Sequence, residues 1–96
     1  MNVVWSDEAV LALVDLESEL AARYTSERAR SITDAIVTRV DQLEAHPQLG
    51  RLVPEFGMWQ LRELVDRHHR ILYWLTPDPI EIVAIAPARI PLVRDP

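Results

Sequence analysis

Apolar residues in the first half of the chain recur with the period of an amphipathic helix. Four of them follow one another at steps of four, three and four, at Ala9, Leu13, Leu16 and Leu20. This spacing places them on one face of a helix. Ser6 supplies a capping hydroxyl, and the acids Asp7 and Glu8 suit the positive end of the helix dipole. The pattern predicts a first helix over residues 7–23.

A second apolar stripe follows after a short polar joint. Its members are Ala29, Ile32, Ile36, Val40 and Leu43. Ser26 with Glu27 repeats the capping signal, and the helix must end before Pro47, because the residue that precedes a proline avoids the helical region. We therefore predict a helix over 27–45, and the short joint makes the two helices an antiparallel hairpin.

The remaining regular segments are short and rich in β-formers. One lies at residues 2–5, and three follow the helices, at 59–65, 69–76 and 80–86. Residues 46–57 carry both glycines and two prolines, which is typical of a loop. The order β-α-α-β-β-β predicts an α+β fold, in which the helical hairpin packs on one face of a small, mostly antiparallel sheet and leaves the other face partly open. We expect residues 1–96 to form a single domain.

Composition narrows the classes of function. The chain has 96 residues with ten basic and fifteen acidic side chains, a net charge of −5, which disfavours direct DNA binding because phosphate contacts need clustered positive charge. All ten basic residues are arginine, and residues 51–96 hold six of each sign, so an anionic partner is expected to bind there. The absence of cysteine excludes disulfides and thiol nucleophiles. No apolar run approaches the ~20 residues of a membrane helix and no signal peptide is evident, so we expect a cytoplasmic protein.

The charged stretch LRELVDRHHRILYWL, residues 61–75, holds the first candidate site. Alternation along a strand places Arg62 on one face of its strand, and Arg70 with Trp74 on one face of the next. If the two strands form a hairpin, Arg62 and Arg70 are expected to meet on the open face and bind a partner. The alternative is structural, with each arginine paired to a cross-strand acid such as Glu63 or Glu81.

The histidines are weaker candidates. Histidine is the natural acid/base side chain near neutral pH, but His68 and His69 lie at the turn between two strands, which is typical of exposed turn residues. His46 stands at a helix end, where a cation suits the dipole. No acidic spacing beside these residues indicates a metal site, and we expect neither a metal nor a cofactor. Arg51 is expected to pair with Glu55 and hold the loop.

These segments together resemble a known family. The pieces HPQLGRLVPE, LRELVDRHHRILYWL and IEIVAIAPAR, in this order after a capped helical hairpin, are similar to the RelE/ParE superfamily of toxins from type II toxin–antitoxin systems. The resemblance covers nearly the whole chain and implies the fold predicted above. It also implies a cognate antitoxin partner whose extended segment wraps across the toxin.

Two activities occur in that superfamily, and the resemblance implies one of them. RelE-like members are ribosome-dependent mRNA endonucleases, and such cleavage needs a base, an acid and cations at the phosphate; the matching residues here would be Arg62, Arg70 and Arg89. The C-terminal Tyr or His of those nucleases has no counterpart in the tail ARIPLVRDP, and lysine is absent.

ParE-like members instead inhibit DNA gyrase by binding it, and the chain resembles these more closely. We therefore expect the target and the antitoxin to bind at five positions: Arg62, Arg70, Trp74, Arg89 and Leu92. The alternatives are an mRNA endonuclease that acts with the ribosome, and a non-toxic remnant that only binds its antitoxin.

Overall fold

The computed structural model describes residues 1–89 and 92 of the chain. The elements in chain order are β1 (Val3–Trp5), α1 (Asp7–Arg23), α2 (Ser26–Asp41), a 3-10 turn (Gln42–Glu44), β2 (Arg51–Leu52), β3 (Leu61–Val65), β4 (His69–Trp74) and β5 (Ile80–Pro87). The predicted order and α+β class are confirmed. The structure adds β2, a two-residue strand inside the segment predicted as a loop.

Both helices begin at hydroxyl caps. The Ser6 side chain accepts the backbone N–H of Ala9 at 3.1 Å, and Thr25 Oγ1 accepts that of Arg28 at 3.1 Å. Each cap satisfies one donor that the first helical turn leaves unpaired. The predicted start of α2 is one residue late, because Thr25 rather than Ser26 is the cap.

The end of α2 also differs from the prediction. The α-helix ends at Asp41, and the segment predicted as its last turn is the 3-10 turn Gln42–Glu44. A tighter final turn of this kind is common at helix ends. The chain therefore still leaves the helix before Pro47, as predicted.

The five strands form one sheet in the order β1-β5-β4-β3-β2. β1 runs parallel to β5, and all other neighbours are antiparallel. The sheet is thus mostly antiparallel, as predicted. β1 pairs only with Ile80–Ile82, so β5 extends past its edge partner.

The main hydrophobic core lies between the helical hairpin and one sheet face, the helix-covered face. Helix residues of this core are Ala9, Ile36, Val40 and the adjoining Leu43, and sheet residues are Leu64, Ile71, Tyr73, Ile80 and Ile82. The apolar stripes predicted for both helices are the surfaces that pack here. Thr33 Oγ1 also donates a 2.8 Å hydrogen bond to Glu17 Oε1, which joins the two helices.

The opposite face, which we call the open face, carries a smaller cluster. Val53, Leu61 and Leu72 are buried there, and Phe56, Trp74, Val83, Ala84 and Leu92 pack against them. The loop before β3 and Leu92 therefore cover part of the face that the sequence predicted to be partly open. Among the described residues, no helix is both long and apolar enough to cross a membrane.

Candidate functional site

The two arginines expected to meet lie on opposite faces of the sheet. Arg62 is directly opposite Tyr73, and Arg70 is directly opposite Val65. Opposed residues share a face, and Tyr73 belongs to the helix-covered core, so Arg62 is on that side. Arg70 shares the open face with Leu72, since side chains alternate along a strand. The prediction that Arg62 and Arg70 share the open face is wrong.

The cause is the register of the β3–β4 hairpin. The backbone N–H of Asp66 donates to the carbonyl of His69 at 3.0 Å, which closes the hairpin with Arg67 and His68 at its tip. This closure pairs even-numbered residues of β3 with odd-numbered residues of β4. Two even-numbered arginines on these strands must therefore point to opposite faces.

Arg70 is held by two carboxylates. Its Nε donates to Glu63 Oε1 at 2.6 Å, and its Nη1 and Nη2 donate to the two oxygens of Glu55 at 2.6 and 2.7 Å. The Arg70 side chain is only 6% exposed and that of Glu63 is 0% exposed. The structural alternative, in which Arg70 pairs with the cross-strand Glu63, is thus the arrangement that the structure contains.

The two-fold contact between Arg70 and Glu55 shifts the pKa values of both residues. The Arg70 guanidinium, followed by the backbone N–H of Leu92, lowers the pKa of Glu55 to about 2. The Glu55 carboxylate in turn raises the pKa of Arg70. Arg70 is therefore permanently charged and already neutralised by its neighbours, which suits a positioning role better than a direct contact with a target.

Arg51 does not pair with Glu55, contrary to the prediction. Its Nε donates to Glu63 Oε2 at 2.8 Å, because β2 places Arg51 directly opposite Glu63. Glu55 is committed to Arg70 instead. Glu63 therefore lies between two arginines, a consequence of the short strand β2 that sequence reasoning missed.

Arg62 joins the loop before β2 to the loop after it. Its Nε donates to the carbonyl of Trp59 at 2.8 Å and its Nη1 to that of Gly50 at 3.3 Å. The buried Tyr73 hydroxyl holds the loop before β2, accepting the Gly50 N–H and donating to the Pro47 carbonyl, both at 2.9 Å. Burial raises the pKa of Tyr73, so this phenol stays protonated and able to donate.

Trp74 and Leu92 lie on the open face with Arg70. Both pack against its apolar cluster, and the backbone N–H of Leu92 donates to Glu55 Oε2 at 2.8 Å. The Glu55 carboxylate that pairs with Arg70 thus also holds Leu92, which lies beyond β5. Three of the five predicted binding residues are brought together in this way.

Arg89 lies elsewhere, in a groove between the helical hairpin and the end of β5. The groove has a volume of about 750 Å³. Four arginines line it, and we call it the basic groove: Arg23, Arg28, Arg67 and Arg89. The sequence pattern does not group these residues. An antiparallel sheet alone predicts that the β3–β4 turn and the end of β5 are neighbours, which relates Arg67 to Arg89, but nothing in the pattern places the helix joint beside them.

His68 lies in the turn, as predicted, whereas His69 is the first residue of β4 and pairs with Pro87. The backbone N–H groups of His68 and His69 donate to Asp66 Oδ1 at 2.8 and 2.7 Å, which is an Asx turn that shapes the hairpin tip. His68 is exposed and His69 half-buried. Among residues 1–89 and 92, no cluster of three or more His and acidic side chains is arranged to hold a metal ion.

Comparison with known proteins identifies the family. A family model described as the ParE toxin of the type II toxin–antitoxin system, parDE, matches residues 3–91. The chain belongs to the ParE toxin family. The solved structure of the chromosomal ParDE TA system from P. aeruginosa is similar, with a TM-score of 0.77, 20% sequence identity, and coverage of 91% of this chain and 95% of that one. No curated protein matches this sequence. The expected resemblance, including the preference for ParE over RelE, is confirmed.

Proposed function

We propose that this ParE-family chain is the toxin of a type II module that acts in the cytoplasm, inhibits DNA gyrase by binding it, and is neutralised by a cognate antitoxin. The observation that carries the proposal is the dispersal of Arg62, Arg70 and Arg89. These are the residues that a nuclease would need at one phosphate. Two of them lie on opposite sheet faces, and the third lines the basic groove.

Hydrogen bonds within the protein that occupy two of these arginines also support binding over cleavage. Arg70 donates through Nε and both terminal nitrogens to carboxylates, and Arg62 donates to two loop carbonyls. Stabilisation of a phosphorane needs cations aimed at one developing charge. Binding of a protein surface has no such requirement, since contacts spread over a wide area suffice.

Two surfaces then remain for partners. On the open face, Trp74 and Leu92 offer apolar contact, with Arg70 fixing the strand and the tail beneath it. On the other side, Arg89 contributes to the basic groove. Aromatic and arginine side chains are the usual anchors of protein interfaces, so we assign Trp74, Arg89 and Leu92 to direct contact, and Arg62 and Arg70 to positioning.

Two parallel assays test the proposal. Purified toxin is added to DNA gyrase with relaxed plasmid and ATP, and to a reconstituted translation system with mRNA. We expect loss of supercoiling and intact mRNA. Cleavage of mRNA at ribosomal A sites would contradict the proposal in favour of the endonuclease. Inactivity in both assays, with the antitoxin still bound, would favour the non-toxic remnant.

A further inference from the structure

A pocket with apolar walls lies on the open face, at the end of the sheet that carries the β4–β5 turn. We call it the turn pocket, and its volume is about 590 Å³. Val4, Met58 and Trp74 supply the apolar walls, and Asp78 and Glu81 are the charged residues that line it. The pocket is at the start of β5, whereas the basic groove is at its end.

The strand register places a carboxylate beside an indole ring in this pocket. Glu81 of β5 is directly opposite Trp74 of β4, and on its other side it is directly opposite Val4 of β1. Directly opposed residues of antiparallel strands share a face and have Cβ atoms about 4.5–5.5 Å apart. A cation that pairs with Glu81 is therefore within reach of the Trp74 ring, which adds a cation–π attraction.

The two carboxylates of the turn pocket have charge to offer. Within residues 1–89 and 92, neither Asp78 nor Glu81 forms an ion pair, and both residues are exposed. They differ in this from Glu55 and Glu63, which are paired with arginines inside the protein. No basic side chain of the described part of the chain lines the pocket. Its charge therefore favours a cationic partner.

Exposed apolar side chains continue beyond the pocket. Met58 is 42% exposed, and Trp59 beside it in the chain is 56% exposed. Trp59 lines a neighbouring cavity of about 640 Å³, which shares Thr76 with the turn pocket. Tryptophan and methionine are enriched in protein interfaces, and a continuous exposed apolar surface marks an interaction site. These features fit a protein partner better than a small free cation.

The chemistry of the pocket fits an arginine side chain. A planar guanidinium stacks on an aromatic ring and donates to a carboxylate at the same time, and the aliphatic stem of arginine packs on apolar walls. Gyrase acts on DNA, and a protein surface that contacts DNA phosphates carries clustered basic residues. A chain with a net charge of −5 is attracted to such a surface.

We propose that the turn pocket is a gyrase-binding site of the toxin, and that it takes an arginine from a basic segment of the gyrase surface. The guanidinium pairs with Glu81 and stacks on Trp74, and Asp78 provides a second carboxylate at the pocket. The aliphatic stem packs on Val4 and Met58. This proposal rests on the proposed function, because it takes gyrase as the partner.

Charge reversal in the full-length toxin tests the proposal. Glu81→Arg changes an exposed residue of the turn pocket, and Asp34→Arg makes the same change at an exposed site of α2 that does not line the pocket. Surface plasmon resonance with immobilised gyrase measures Kd. Glu81→Arg is expected to weaken binding at least about tenfold, since removing one member of a paired interface charge has effects of this order. The Asp34→Arg control is expected to bind as the unchanged toxin does.

A second variant tests the role of the ring. Trp74→Leu keeps an apolar side chain on the open face and removes the indole, so gyrase binding is expected to weaken about two- to fivefold. In the Glu81→Arg background the same change is expected to have little further effect, because the two residues bind one guanidinium. Circular dichroism and thermal melts of each variant establish that the fold is retained.

Parallel titration with the cognate antitoxin separates the possible failures. If the unchanged toxin binds gyrase and both pocket variants bind it equally well, this proposal is overturned and the proposed function stands. If the pocket variants lose affinity for the antitoxin and keep it for gyrase, the pocket serves the antitoxin, and this proposal is again overturned. If the unchanged toxin does not bind gyrase at all, the proposed function fails and the pocket proposal fails with it.

Discussion

Glu63 on β3 accepts a 2.6 Å hydrogen bond from Arg70 on β4, and both side chains are almost completely buried. The two residues are diagonal neighbours on the open face, because Glu63 lies directly opposite Leu72. Arg70 therefore joins two neighbouring strands inside the protein and stabilises the sheet. Among the described residues, the arginines of the basic groove form no ion pair; they include Arg67 and Arg89, at the same end of the strands as Arg70.

Removal of Arg70 is expected to destabilise the protein strongly. Arg70→Ala leaves the buried carboxylate of Glu63 with Arg51 as its one arginine partner and removes the arginine partner of Glu55. Loss of one member of a buried ion pair costs about 3–5 kcal/mol. Urea unfolding followed by circular dichroism measures the change in the free energy of unfolding. Arg67→Ala, at an exposed turn position, is the control, with a change within about 0.5 kcal/mol. A cost for Arg70→Ala below about 1 kcal/mol would show that the pair contributes little.

Glu55 is expected to make stability depend on pH in acid. Its pKa is lowered from 4.5 to about 2 in the folded protein, so the folded state holds the ionised form more strongly than the unfolded state does. The stability contributed by this group is fully present above pH 4.5 and is lost as the pH falls toward 2. The free energy of unfolding should therefore decrease across this range.

The Glu55→Gln variant isolates that contribution. Because glutamine does not titrate, its free energy of unfolding should decrease less steeply between pH 4.5 and pH 2 than that of the unchanged protein. Thermal melts at closely spaced pH values provide the comparison. Parallel curves for the two proteins would rule out Glu55 as a source of the acid dependence.

The two glycines are expected to differ in how they tolerate alanine. A Cβ on Gly50 would lie 2.7 Å from the Glu63 carbonyl oxygen and from two atoms of the Tyr73 ring and hydroxyl, so overpacking should cost up to about 3 kcal/mol. A Cβ on Gly57 would meet no atom within 4 Å, but φ there is +66°, which costs about 1 kcal/mol for an L side chain. Chemical denaturation of both variants measures the difference, and equal costs would contradict the close approach at Gly50.

Removal of the Tyr73 hydroxyl is expected to loosen the loop that Arg62 also braces. Tyr73→Phe leaves the Gly50 N–H without its 2.9 Å acceptor, and an unsatisfied buried donor costs about 1–3 kcal/mol. Tyr24→Phe is the matched control, because Tyr24 is 49% exposed. Hydrogen exchange should show faster exchange of the Gly50 amide in the Tyr73→Phe variant alone, and unchanged protection would contradict this role.

The two helices and the order of the elements along the chain, apart from the short strand β2, could be predicted from apolar periodicity, capping residues and short β-rich segments. Ala9 and Ile36, for example, fall on stripes whose spacing already specifies a buried helix face. The placement of Arg62 and Arg70 on opposite faces could not be predicted in this way. It depends on which residues the hairpin turn pairs, and a shift of one residue would move every side chain of a strand to the other face of the sheet. The groove depends on how a helix joint sits above a sheet end, which local patterns do not encode.

We propose that this protein acts by binding gyrase, and ATP-dependent supercoiling by purified gyrase, measured as toxin is titrated in, tests this directly. We expect inhibition that saturates with toxin and is reversed when the cognate antitoxin is added at an equal molar amount. Full supercoiling activity at a large molar excess of folded toxin would contradict it.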